Sequence, residues 1–187
     1  MNGQARRALL DELRTRVADE RVLGALAEVP RERFVPPDLT ERAYENVALA
    51  IDCGQTISQP LVVARMTELL ELDDDDRVLD VGTGSGYHAA VLARLARHVW
   101  SIERHRLLAE QAARALRDTG VANVTVLVGD GARGLPAEEP FDAINVAAAA
   151  PRAVLEELAG GLAAGGRLVA PVSGRRQRLV TLRRGEL

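Results

Sequence analysis

Five short β-branched runs, RVLDV, HVWSIE, NVTVLV, FDAINV and RLVAPV, alternate with the helix-like stretches YHAAVLARLAR, RLLAEQAARALRDTG and RAVLEELAGGL. Few architectures accept that alternation. Strand, helix and strand in succession call for right-handed crossovers and a parallel sheet covered on both faces. The pattern therefore predicts an α/β fold with a doubly wound, mostly parallel sheet. Ligands of such sheets lie beyond the carboxyl ends of the strands, where strand order reverses. Functional residues are expected directly after each strand.

Ahead of this unit, residues 4–28 have the spacing of two short amphipathic helices. PRERFVPPDLTERAYENVALAI then reads as a Pro-punctuated connector with little regular structure of its own. This segment is too small to be a domain, so the 187 residues are expected to form one. Residues 1–59 would be a small N-terminal helical cap over the ligand edge, and 60–187 the core. LDDDDRV reads as a solvated acidic turn, and VAAAAPRA as a close-packed turn into a helix.

Composition removes several kinds of chemistry. All 24 basic residues are arginine, which leaves no Schiff-base lysine and no P-loop lysine. The net charge of -3 and the 3% aromatic content argue against a nucleic-acid partner. No apolar run spans a bilayer, and MNGQARRALLDEL is too charged for a signal peptide, so no membrane partner and a cytoplasmic location are expected. Cys53 has no cysteine to pair with and no histidine cluster around it, and no metal site is expected.

The run RVLDV leads into LDVGTGSGY, a glycine-rich strand-to-helix turn that lets backbone approach a ligand and aims N–H groups toward it. A dinucleotide fingerprint, G-x-G-x-x-G, would need glycine where Tyr87 stands. The observed form, with Gly82, Gly84 and Gly86 two or more residues after Asp80, resembles that of S-adenosylmethionine enzymes of this architecture. Glu103 closes the next run, 21 positions after Gly82, where a carboxylate can accept both ribose hydroxyl protons; alternatively it is an exposed acid at a helix start. VGDG places Asp130 and Gly131 at the same edge, where Asp130 could accept from an adenine amino group or simply shape an Asp-Gly turn.

GQTISQP, residues 54–60, has two readings. Ser58 can cap the helix that begins at Pro60, which has no N–H to waste, or it can face a ligand. Here the chain resembles the protein-L-isoaspartate O-methyltransferases, class I S-adenosylmethionine-dependent enzymes with a Rossmann-like sheet. The matching blocks are VPRERFVP, AYENVALAI, GQTISQP, VLDVGTGSGYHAAVLA, VGDG, PFDAINVAAAAP and AAGGRLVAPV, in the family's order and over nearly the whole chain. The resemblance implies a monomeric, cytosolic repair enzyme that methylates the α-carboxylate of L-isoaspartyl residues in damaged proteins and peptides. It assigns Ser58 to catalysis, orienting the substrate carboxylate. It assigns Thr56, Ile57, Ser58, Gln59, Asp80, Gly82, Thr83, Gly84, Gly86, Glu103, Arg104, Asp130 and Gly131 to S-adenosylmethionine, and Cys53 and Val172 to the substrate rim. No Ser-His-acid signature accompanies Ser58, and His88, His98 and His105 show no visible partner, so Ser58 is not expected to be a covalent nucleophile.

Two departures stand out. DCG occupies the segment before GQTISQP, and the chain stops at QRLVTLRRGEL, where family members add a further strand. The final family strand is therefore expected to be absent, with a sheet edge left unpaired. Rival readings are a relative that methylates aspartate in one dedicated peptide, and a cofactor-binding protein without activity. A base-labile methyl label on an isoaspartyl peptide separates these from the repair enzyme.

Overall fold

The computed structural model describes residues 2–148, 150–172 and 178–185. Two helices open the chain, α1 (Asn2–Leu13) and α2 (Glu20–Glu28). Asp19 caps α2 by accepting from the N–H groups of Arg21 and Val22, and Val22, Leu23, Ala25 and Leu26 are its buried stripe. The connector contains short 3-10 turns and one small antiparallel pair, β1 (Leu49–Ala50) with β2 (Thr56–Ile57). Next comes α3 (Pro60–Leu70), which opens on Pro60 and closes on Glu71 in the left-handed conformation.

The core follows as β3 (Arg77–Val81), α4 (Tyr87–Leu92), β4 (His98–Glu103), α5 (Arg106–Asp118), β5 (Val124–Val128), β6 (Phe141–Val146), α6 (Arg152–Gly160), β7 (Leu162–Val172) and β8 (Arg178–Arg183). The strand order is β5-β4-β3-β6-β7-β8. The first five are parallel and β8 is antiparallel. The chain winds outward from β3 to β5, then returns to place β6 on the other side of β3. The loops after β3 and β6 therefore diverge, and a crevice opens between them.

Alternate strand residues face opposite layers. Val78, Val99, Ala143 and Val169 join the helices of the N-terminal half, whereas Leu79, Ile102, Ile144 and Leu168 pack with Leu155 and Leu158 of α6. The expected doubly wound, mostly parallel sheet is present. β8 pairs antiparallel along the outer side of β7, from Arg167↔Arg183 to Val172↔Arg178, and is the last strand of the sheet. RLVTLR, within the closing stretch QRLVTLRRGEL, is this strand. The segment YHAAVLARLAR is helical only through Leu92 and then tightens, with Arg94 and Leu95 donating to the carbonyls of Val91 and Leu92.

Candidate active site

A cavity of about 370 Å³ lies beyond the carboxyl ends of β3, β4 and β6. Its walls are strand tips: Val81 to Ser85 after β3, Ile102 to His105 around the end of β4, and Gly129 to Ala132 after β5. Val146, Ala147, Ala148, Ala150 and Pro151 form the side beyond β6. Gln55, Thr56, Ile57 and Ser58 reach in from the cap. That volume falls in the range of small-molecule sites, which pair an apolar lining with a few convergent polar groups.

The three glycines of the loop do different work. Gly82 (φ +96°) and Gly84 (φ +54°) line the cavity, and a Cβ on either would meet neighbours no closer than 3.7 Å. Gly86 (φ +87°) is turned away: its Cβ would stand 3.1 Å from the Cβ of Ala112 on α5. It is a packing glycine where two helices cross, not a cavity residue. Gly131 is needed for approach, since a Cβ there would lie 2.6 Å from Val81 Cγ1.

Glu103 is buried, 6% exposed, and lines the cavity. The acid expected at a helix start is there, but buried rather than exposed. Its Oε1 accepts from the N–H of His105 at the start of α5 and its Oε2 from the N–H of Gly84, each at 2.9 Å. One carboxylate thus ties the first and second strand tips together, and each oxygen keeps a second lone pair for a ligand. Asp130 stands exposed at the rim, with Oδ1 accepting from the N–H of Ala132 at 3.0 Å.

Asp80 is fully buried and absent from the lining. It anchors a polar chain beneath the loop. Ser101 Oγ donates to Asp80 Oδ2 at 2.6 Å and pairs with Thr83 Oγ1 at 2.6 Å. Asn145 Nδ2 donates to Asp80 Oδ1 at 2.7 Å and to His88 Nδ1 at 3.1 Å, and the opposite ring nitrogen, Nε2, donates to Thr67 Oγ1 at 3.1 Å. Burial lifts the Asp80 carboxyl above the usual carboxylate range, opposed by its bonds from Ser101 and Asn145. Burial alone holds His88 neutral, down to about 3. The expectation that the histidines lack partners fails: His88 belongs to this chain, and His98 pairs with Thr125 Oγ1 at 2.9 Å. Their partners lie 21, 57 and 27 positions away in sequence, beyond any local spacing signal.

Ser58 is not the cap of α3. The helix begins after Gln59, whose side chain makes no capping bond. The cap comes from outside the segment: Asn46 Oδ1 accepts from the N–H of Leu61 at 3.1 Å, and the Asn46 carbonyl accepts from Gln59 Nε2 at 2.8 Å. Gln59 is thereby drawn away from the cavity it was expected to border. Among the described residues the Ser58 hydroxyl has no partner within the protein, while its carbonyl accepts from Arg31 Nη2 at 2.8 Å. Ser58 lines the cavity with its hydroxyl uncommitted.

Of the remaining expected residues, Thr56, Ile57, Thr83, Arg104 and Gly131 line the cavity, whereas Cys53 and Val172 do not. Cys53 is exposed, with φ 57°, in the turn Asp52–Gly54 between β1 and β2. Val172 sits at the far end of β7, two strands from β3. The alanine wall at Ala147, Ala148 and Ala150 was missed as a lining, because small residues in a turn carry no polar signal. No group of His, Cys, Asp and Glu among the described residues could hold a metal ion.

A six-stranded doubly wound sheet with a glycine loop and an acid at the next strand tip defines a class I S-adenosylmethionine-dependent methyltransferase. The sequence profile of the protein-L-isoaspartate(D-aspartate) O-methyltransferase family matches residues 4–186, and the chain belongs to that family. It is 52% identical over 172 residues to the protein-L-isoaspartate O-methyltransferase of Parvibaculum lavamentivorans, covering 90% of this chain and 77% of that one. A solved protein-L-isoaspartate O-methyltransferase superposes with a TM-score of 0.85 at 32% identity, over 97% of this chain and 60% of the other; the present chain thus spans less than two thirds of that structure. A Plasmodium falciparum structure described as a protein-L-isoaspartate O-methyltransferase in complex with S-adenosyl-L-homocysteine superposes with a TM-score of 0.79 at 25% identity, over 96% of this chain and 89% of the other.

Proposed function

We propose that this protein transfers a methyl group from S-adenosyl-L-methionine to the α-carboxylate of L-isoaspartyl residues in damaged proteins and peptides. The observation that carries this reading is the convergence of Gly82, Gly84, Glu103 and Asp130 on one cavity beside the uncommitted hydroxyl of Ser58. The residues suit the cofactor. The Cβ-free backbone at Gly82 and Gly84 would take the amino-acid tail, the spare lone pairs of Glu103 the ribose, and Asp130 with the alanine wall the base. When bound, S-adenosyl-L-methionine supplies an electrophilic sulfonium methyl.

The protein has little proton chemistry to perform. A substrate carboxylate titrates near ~4 and is already a nucleophile at neutral pH, so no general base is called for. Ser58 can donate its hydroxyl hydrogen to one carboxylate oxygen and leave the other free to attack, which orients without trapping. Its backbone is held by Arg31, and positioning of the carboxylate carries the rate enhancement. The methyl ester formed then closes to a succinimide as the neighbouring backbone nitrogen attacks and methanol leaves, and hydrolysis returns part of it to aspartate. Monomeric action in the cytoplasm without a nucleic-acid partner belongs to the same reading and rests on the family resemblance and the net charge of -3.

The test is transfer of labelled methyl to an isoaspartyl peptide, with wild type beside Ser58→Ala. S-adenosyl-L-homocysteine should bind both within about twofold, while turnover of the variant falls roughly 10²-fold. Unchanged turnover removes Ser58 from the mechanism. Label on the aspartyl peptide but not the isoaspartyl one moves the protein to the dedicated-peptide reading.

A further inference from the structure

Arg31 lies in the short turn Arg31–Arg33 at the start of the connector and is 0% exposed. A guanidinium keeps its charge in a protein, and burying one without a carboxylate partner is costly. Arg31 nevertheless enters no ion pair among the described residues. Glu32, its neighbour, accepts instead from Arg6 and from the Tyr44 hydroxyl. The Arg31 donors go to backbone: Nε to the carbonyl of Ala43 at 2.9 Å and Nη2 to that of Ser58 at 2.8 Å. Its Cζ lies 4.7 Å from the ring centroid of Tyr87, whose hydroxyl also favours the charged guanidinium, and Nη1, also buried, makes no hydrogen bond within the protein. Tyr87 and Ser58 both line the cavity. A buried positive charge with an unused N–H therefore sits one layer behind the cavity, bonded to the residue whose hydroxyl has no partner.

Its described partners, two carbonyls and Tyr87, are neutral at neutral pH, so an anion arriving at Ser58 would offset that charge. We propose that Arg31 is a positioning residue of the carboxylate subsite: it fixes Ser58 through its carbonyl and biases the subsite electrostatically toward an ionised substrate carboxylate. The inference rests on the methyl-transfer reading above and deepens it. Cofactor contacts are not involved, because the glycine loop, Glu103 and Asp130 touch other parts of the cavity. At the effective dielectric of a protein interior, one unpaired charge a few ångströms behind a subsite is worth roughly 10- to 100-fold in preference for an anionic ligand.

The experiment measures inhibition constants for two peptides that differ at one group, an isoaspartyl peptide with its α-carboxylate and the same peptide with an α-carboxamide. Wild type, Arg31→Met and Arg31→Lys are compared, with S-adenosyl-L-homocysteine affinity as the control for folding. Wild type should prefer the carboxylate by at least roughly tenfold. Arg31→Met should lose that preference with cofactor affinity within about twofold, a change that mere loosening of the fold would not select. Arg31→Lys should keep the preference but lose turnover, since a point charge cannot hold Ala43 and Ser58 together. A preference retained in Arg31→Met overturns the inference. Should Arg31→Met not fold, a wild-type preference near one, or full turnover in Arg31→Lys, overturns it instead. If wild type neither binds nor methylates the isoaspartyl peptide, the methyl-transfer reading falls with it; methylation without an Arg31-dependent preference refutes the inference alone.

Discussion

Alanine at Gly86 and alanine at Gly82 should damage this protein in opposite ways, although the two positions are four residues apart in one loop. Both glycines have positive φ, +87° and +96°, so either substitution carries a backbone cost of about 1–2 kcal/mol. At Gly86 the new methyl also stands 3.1 Å from Ala112 Cβ and 3.3 Å from Ala112 Cα. That neighbour is a fully buried helix residue with no side-chain freedom to yield, so overpacking adds about 1–3 kcal/mol. The total, about 2–5 kcal/mol, is a large part of a typical stability of 5–15 kcal/mol. At Gly82 the nearest atoms lie at 3.7 Å, an ordinary contact with Ala147 and Ala148. The cost there is the backbone strain, and the methyl enters the cavity lining. Urea unfolding of the apo protein should show a midpoint lowered by on the order of 1–2 M for Gly86→Ala and by less than half of that for Gly82→Ala. Calorimetry with S-adenosyl-L-homocysteine should reverse the ranking, with at least about a tenfold loss for Gly82→Ala. Equal midpoints, or a cofactor loss larger at Gly86 than at Gly82, would refute the division of the loop into ligand and packing glycines.

Asn46→Ala removes the acceptor for the Leu61 N–H and should lower stability by about 1 kcal/mol. It should also reduce turnover more than cofactor affinity, because Ser58 precedes the loosened helix start; a turnover equal to wild type would contradict that. His88 should give the stability curve an acid limb. Its folded value is depressed to about 3 from 6.5, so between those values the unfolded chain binds the extra proton and stability falls with pH, by about 1.4 kcal/mol per unit. Asp80, whose folded value is raised, acts in the opposite sense, losing stability as pH rises above 3.8 toward that value. Comparing wild type with His88→Gln from pH 7 to pH 4 cancels the Asp80 contribution. The difference in urea stability should narrow toward acid, and a constant difference would show that His88 is not buried neutral.

The strands RVLDV, HVWSIE and FDAINV coincide residue for residue with β3, β4 and β6. Parallel strands covered on both faces read as continuous apolar runs, and that signal is local. The strand tips were legible for the same reason, since Gly82 directly follows such a run, Glu103 ends one and Asp130 lies two residues past one. What escaped the sequence depends on contacts between distant segments. Asn46 lies 15 positions before Leu61, whose N–H it accepts, so a reading based on adjacent residues gives that role to Ser58. Asp80 precedes the loop by two positions and was assigned to the ligand, yet strand alternation points its side chain into the layer beneath. Gly86 belongs to the glycine motif by spacing and to the helix packing by geometry. The β1–β2 pair is only two residues long on each side, too short to show a period.

The buried polar chain explains why the loop can be rigid without being packed by apolar side chains. Thr67, His88, Asn145, Asp80, Ser101 and Thr83 come from α3, α4, β6, β3, β4 and the loop itself. Each bond contributes only about 1 kcal/mol net, but a donor or acceptor left unpaired in this interior costs about 1–3 kcal/mol. A loop shifted out of register with the strands would orphan Ser101 or Asp80, so the chain penalises wrong loop positions more than it rewards the right one. Among its described members only Asn145 Oδ1 lacks a partner. The network reaches the cavity at one end, Thr83, and at His88, next to the other end, Thr67; Thr83 and His88 both line it. Specificity of the glycine loop's position thus comes from satisfied polar groups below it, while Gly82 and Gly84 present bare backbone to the cavity.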